Sequence, residues 1–158
     1  MARFAAALAL LAVAGLAGCG GSVHVSIGKG TQVKLTVIKH GAETIALVPV
    51  RIDGKGPYPF ALDTGAATSA IDTGLARKLG LARVGRTTVS GVTKTSRVPQ
   101  YTLRHWSAGS VQLGARRVAG ADLIRQRGPG IAGLLGSDVL SRYHSVTIDY
   151  DAGVLVLR

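Results

Sequence analysis

The sequence predicts an all-β domain carrying one or two short helices. Three observations support that expectation. Aromatics are scarce, at 4% of the 158 residues, while glycine is frequent at 22, a balance that suits strands and tight turns better than a helical bundle. From Val33 onward apolar residues recur mainly at every second position, the spacing of a strand with one buried face. Short apolar runs are broken by turn residues, as at Asp53-Gly54-Lys55-Gly56-Pro57 and Gly128-Pro129-Gly130. The length suffices for one domain with a true core.

Residues 1–18 stand apart from that domain. Arg3 supplies a small positive start, Phe4 to Leu16 form an apolar run, and Leu16-Ala17-Gly18-Cys19 closes it with small residues. The run is short for a membrane span and has the order of a signal peptide. Leu-Ala-Gly-Cys resembles the bacterial lipobox, which implies cleavage before Cys19 and lipidation of that residue, the single cysteine of the chain. The competing reading is an ordinary secretory signal with an incidental cysteine. A multiply acylated start would anchor the domain to a bacterial membrane, outside the cytoplasm. With its thiol acylated, the domain would have no means of forming a disulfide.

Residues 19–32 are small and polar and read as a tether. Gly28-Lys29-Gly30-Thr31 within it lacks the glycine spacing and the Ser or Thr after lysine that a phosphate loop requires. Loss of residues 1–18 removes only Arg3, leaving +10 of the +11 carried by the whole chain. No basic cluster is interleaved with aromatics, and an exported domain rarely meets nucleic acid, so no nucleic-acid partner is expected. Anionic headgroups or simple solubility account better for the charge.

The domain proper spans residues 33–158. Val33, Leu35 and Val37 alternate with Lys34 and Thr36, as in a half-buried strand. Ile45 to Ile52 is nearly continuous in apolar residues, and Pro49 within it suggests a strand near a sheet edge. After the turn at Asp53, Tyr58 to Leu62 form a second strand that ends at Asp63. Thr73 to Leu79 is a short helix, capped by Asp72 or Thr73, with Arg77 and Lys78 at its negative end and Gly80 as its stop. Arg83 to Leu103 read as a polar hairpin centred near Gly91, and Trp106 to Ile124 as a further β region. Ile131 to Gly136 is an apolar segment, Ser137 to Tyr143 a helical turn or two, and Val146–Tyr150 with Val154–Leu157 a closing hairpin.

The chemistry centres on Phe60-Ala61-Leu62-Asp63-Thr64-Gly65-Ala66, an apolar strand that delivers one carboxylate into a turn of small residues. Apolar walls raise the cost of ionising an acid, and the turn can hold it by hydrogen bonds. Such a group suits proton exchange, but one carboxylate cannot be acid and base at once. A second Asp-Thr-Gly begins at Asp72, nine residues on, too close to build two facing lobes. Asp72 precedes a helical stretch, where a carboxylate is an ordinary cap, so the chemistry falls to Asp63.

Leu62-Asp63-Thr64-Gly65-Ala66-Ala67-Thr68-Ser69, followed by Ile131-Ala132-Gly133-Leu134-Leu135-Gly136-Ser137-Asp138-Val139-Leu140, resembles the retropepsin-like aspartic proteases, specifically bacterial single-domain members. The order of elements agrees from about Val33 to Arg158. The resemblance implies a closed β-barrel with one lobe per chain and a homodimer in which each copy gives Asp63 to a dyad. It also implies an aspartic endopeptidase acting on a peptide or protein substrate with no metal or organic cofactor. Thr64 would hydrogen-bond across the dimer, Gly65 would lie along bound peptide with Ala66 close by, and Gly91 would belong to a flap.

Other residues read more plainly. Asp138 suits a helix start or a buried structural partner, and Asp122, Asp149 and Asp151 suit turns or the surface. His24, His40, His105 and His144 lack ligand spacing. Ser137 lacks a nucleophile elbow, and Trp106 suits the core or an interface. The alternative to a peptidase is an inactive envelope lipoprotein that uses the same fold as a binding or assembly module.

Overall fold

The computed structural model describes residues 30–90, 95–123 and 130–158. Cys19, the signal segment, nearly all of the tether and Gly91 lie outside the described residues.

Strands dominate. β1 (Thr31–Lys34), β2 (Thr36–His40), β3 (Glu43–Ile52), β4 (Lys55–Leu62) and β5 (Ala70–Asp72) lead into α1 (Thr73–Lys78). β6 (Arg83–Ser90), β7 (Thr95–Leu103), β8 (Trp106–Ala108), β9 (Val111–Leu113), β10 (Arg116–Ala121) and β11 (Gly133–Leu135) follow. α2 (Ser137–Leu140), β12 (Val146–Asp149) and β13 (Val154–Leu157) complete the domain. The larger sheet runs β6-β7-β10-β5-β11-β4-β3-β8-β9 with β2 joined to β3, and the smaller is β1-β13-β12.

Two local expectations are corrected. The alternating stretch from Val33 to Val37 is two strands, because β1 pairs with β13 and β2 with β3. The chain changes sheet at Leu35, whose N–H donates to the Gly153 carbonyl at 2.8 Å. Alternation reports which side chains are buried and is silent about partners. β3 is not near an edge either, since β4 flanks it on one side and β2, then β8, on the other. Pro49 is tolerated because it falls where the outer partner changes from β2 to β8 and where its opposite number on β4 is another proline, Pro59.

The β3–β4 hairpin closes through Asp53 and Gly54, with φ of 47° and 74°. Two successive positive φ values match the twist of the flanking strands, which is why an Asp-Gly pair stands there. β4 then runs parallel to β11, pairing Phe60 with Gly133 and Leu62 with Leu135, while β11 is antiparallel to β5. The carboxyl ends of β4 and β11 therefore emerge side by side.

Phe60, Ile71, Leu103, Trp106, Leu135 and Leu155 are fully buried in a single cluster drawn from both sheets. The Phe60 ring occupies the space that a side chain at Gly133 would fill. It meets Trp106 at a centroid distance of 6.5 Å, tilted by 51°. Trp106 is thus a core residue, and its Nε1–H donates to the Gly114 carbonyl at 3.0 Å.

Candidate active site

Asp63 is set by the end of β4. Phe60 and Ala61 are buried, Leu62 is half-buried, and the Asp63 N–H donates to the Leu135 carbonyl at 3.1 Å, extending the β4–β11 ladder by one residue. The chain then turns back on its own carboxylate. Asp63 Oδ1 accepts from the Gly65 and Ala66 N–H groups, each at 3.0 Å, and the Ala66 N–H also approaches the Asp63 carbonyl at 3.2 Å. This is the habit of aspartate in turns, where a short side chain substitutes for a backbone acceptor. Both bonds fall on Oδ1, and among the described residues Oδ2 receives none. The side chain is half-buried, Thr64 and Gly65 are exposed, and Ala66 is half-buried.

A second layer holds this loop from beneath. The Ala66 carbonyl accepts from Ser137 N–H at 2.8 Å and Ser137 Oγ–H at 3.0 Å. Ser69 is fully buried, and its N–H and Oγ–H donate to Asp138 Oδ1 at 2.9 and 2.7 Å. Its hydroxyl oxygen accepts from the Gly136 N–H at 3.0 Å. Arg116 Nη2 donates to the Asp138 carbonyl at 2.7 Å while its Nε stands 3.7 Å from Asp138 Oδ2, close enough for charge attraction but too far for a hydrogen bond. The loop is thereby bonded at Ala66 and at Ser69 to the corner where β11 becomes α2. Gly136 makes that contact possible, since a Cβ there would lie 2.7 Å from the Ala66 carbonyl oxygen.

The two Asp-Thr-Gly triplets separate cleanly. Asp72 is 3% exposed; its Oδ1 accepts from the Leu75 N–H at 2.9 Å, capping α1, and its Oδ2 accepts from the Leu123 N–H at 3.2 Å. A carboxylate used at both oxygens to tie backbone together is structural. Asp138 is structural too, but it acts on the loop that carries Asp63. Ser69, Ser137 and Arg116 were not found as site residues from sequence. A trace existed for Ser69 in the serine that closes the Asp63 motif, and for Asp138 in its place after Leu-Leu-Gly-Ser. Nothing marked Arg116.

β6 and β7 pair along their length, Arg83 to Ser90 against Tyr101 to Thr95, as the polar hairpin expected around Gly91 requires. Gly91 itself is outside the described residues. Between this hairpin and the Asp63 loop lies a cleft of ≈ 330 Å³. Its walls are Ala66 to Thr68, Thr88 to Ser90 and Ala119 to Ala121, with Ala70, Val98 and Leu134 between them. Among the described residues, the lining side chains are all uncharged, and most are small.

Among the described residues, none of its own subunit requires Gly65 to be glycine. A Cβ at that position would meet just Asp63 Oδ1, at an ordinary 3.4 Å, and its φ is not in the left-handed region. No described residue of the chain demands glycine at position 65.

The sequence model of the family described as Aspartyl protease matches residues 48–139, the stretch containing both the Asp63 loop and the Gly136 corner. Among solved structures the chain is similar to a retropepsin-like aspartic protease from Rickettsia conorii, at 22% identity and a TM-score of 0.51. That match covers 79% of this chain and 99% of the other, and at such identity it bears on fold. No curated protein matches the chain.

Proposed function

The chain belongs to the aspartyl protease family, its all-β fold is retropepsin-like, and from that premise we propose that it is an aspartic endopeptidase working as a homodimer. The observation that supports this reading best is the Asp63 carboxylate, pinned at Oδ1 by two backbone N–H groups, half-exposed, and three residues before the start of an apolar cleft at Ala66.

Each chain contributes one such acid, so the reaction needs two chains related by a two-fold axis. Two carboxylates held close cannot both ionise readily, and the pair shares one proton. The ionised member takes a proton from water as the water oxygen attacks the scissile carbonyl carbon. The protonated member gives its proton to the carbonyl oxygen, producing a neutral gem-diol. The first carboxyl then passes its proton to the amide nitrogen while the other takes a proton from a gem-diol hydroxyl, so that the C–N bond breaks, amine and carboxylic acid leave, and the dyad again holds one proton. Thr64, exposed beside the acid, would bond across the two-fold axis. Gly65 would lie against substrate backbone, Ala66 would border the bound side chain, and Gly91 would belong to the flap that excludes water. Lipidation of Cys19 would hold the enzyme on the envelope face of a bacterial membrane. The chemistry calls on no metal or organic cofactor.

Cleavage of a denatured protein mixture from acid to neutral pH tests the reading. Asp63→Asn is expected to abolish cleavage, and Asp72→Asn to retain it. Equal activity in wild type and Asp63→Asn would defeat the assignment. A correctly folded wild-type dimer inactive at every pH would point to the binding-module alternative.

A further inference from the structure

The positive charge of this chain is not evenly spread. From Thr73 to Ala121 the sequence holds nine Lys and Arg and no Asp or Glu; all 8 acids lie outside that stretch. The same stretch builds α1, β6, β7, β8, β9 and β10, and it supplies the Thr88–Ser90, Val98 and Ala119–Ala121 walls of the cleft. Of the acids near these walls, Asp72 is engaged by backbone N–H groups, Asp138 by Ser69 and Arg116, and Asp63 through Oδ1 by its own turn, while Asp122, next to Ala121, is exposed at the edge of the cleft. Arg83, Arg86, Arg97 and Arg117 are exposed, and none has an ion-pair partner among the described residues.

Strand register says where these charges stand. Arg117 pairs with Thr102 and Ala119 with Gln100, so alternation puts Arg117, Ala119 and Val98 on one face of the sheet, the face that opens on the cleft. Arg86 lies opposite Pro99 and Arg97 opposite Thr88, so alternation puts both on the face of the hairpin away from Val98, the face shared by the cleft-lining Thr88 and Ser90. Arg86 Nη2 is held to the Arg97 carbonyl at 2.6 Å. An uncharged floor is therefore bordered by cations on both faces of its outer wall.

Resting on the peptidase reading for its catalytic meaning, we infer that this cleft selects acidic polypeptide segments: an apolar residue seated on the Ala70–Ala119 floor, with Asp or Glu within a few residues of it. Arg117 receives a flanking carboxylate directly, and Arg86 and Arg97 supply the field that draws it in. Cations around a low-dielectric cleft focus the potential and raise the local concentration of anionic ligand, while a basic segment is repelled. Because these arginines are exposed, salt must weaken the preference.

The test uses the full chain carrying Asp63→Asn, so that binding is read without cleavage. Two labelled peptides share one apolar centre, flanked by Glu in the first and by Lys in the second, and fluorescence anisotropy measures both. The Glu peptide is expected to bind at least about tenfold more tightly at low salt. That advantage should shrink to about twofold or less near 1 M salt. Arg117→Glu and Arg97→Glu, both at exposed positions, should each shift the preference toward the Lys peptide. Equal binding of the two peptides, or a preference that survives both salt and charge reversal, overturns the inference. So does Arg117-dependent binding to vesicles of anionic lipid with no Glu-peptide binding, since the charge would then serve a membrane. A Glu preference in a protein whose wild type never cleaves would leave this inference standing and defeat the peptidase reading instead.

Discussion

At the scale of the residue, identical tripeptides have been given opposite duties by their neighbours. Asp63 spends one oxygen on its own turn, and Asp72 spends both on backbone that must be held. Asp72→Ala should accordingly cost about 2 kcal/mol, the loss of a helix cap together with a stranded Leu123 N–H, visible as a lower urea midpoint. Gly65 gives the converse expectation. Its one close neighbour among the described residues is Asp63 Oδ1 at 3.4 Å, so Gly65→Ala should leave the unfolding midpoint within about 0.5 kcal/mol of wild type. Cleavage should nevertheless fall by about tenfold or more, because a methyl group would stand between the dyad and the substrate backbone. Unchanged cleavage in Gly65→Ala would mean that peptide does not pass over this residue. The Asp63 side of the contrast was legible in the sequence, since an apolar strand before the acid and small residues after it are local features. The bond from Leu123 to Asp72 spans 51 positions and left no local trace.

At the scale of the element, the working unit is the Asp63 loop together with the corner between β11 and α2. Gly136→Ala would push a methyl carbon to within 2.7 Å of the Ala66 carbonyl oxygen, so either the loop or the corner must move. The expected cost is about 1–3 kcal/mol, with activity lost more steeply than stability because the displaced loop carries the acid. Asp138→Ala should cost a similar 1–3 kcal/mol or so by leaving the Ser69 N–H and hydroxyl without their acceptor. In Asp138→Ala the cleavage of a short peptide should show a loss in kcat larger than any change in KM. A mutant that unfolds earlier yet cleaves at the wild-type rate would confine Asp138 to stability. The strands and helices of this unit were readable one by one from periodicity and caps. Their meeting was not, since the Ser69–Asp138 contact joins residues 69 positions apart through a parallel β4–β11 pair that no hairpin signal announces.

At the scale of the whole molecule, one chain presents one half-exposed acid beside an open cleft, and the proposed chemistry needs two. Specific activity should therefore fall on dilution in step with dimer dissociation measured by sedimentation. Mixing wild type with Asp63→Asn and allowing exchange should suppress activity below the simple average of the two, because mixed dimers hold a single acid. A strictly monomeric species that still cleaves would refute the shared dyad. What the sequence by itself determined was the all-β class, the hairpin that ends at Asp63, the cap at Asp72 and the family resemblance, each written in neighbouring residues or short spacings. Only the tertiary structure decided that Val33 to Val37 serve two sheets, that β3 is interior despite Pro49, and that Arg116, Asp138 and Ser69 brace the acid's loop. It likewise gathered the acid-free stretch around the cleft. The physical reason is one of range: side-chain periodicity and turn chemistry act over a few residues, whereas sheet order and buried polar partners depend on which distant strands pack together.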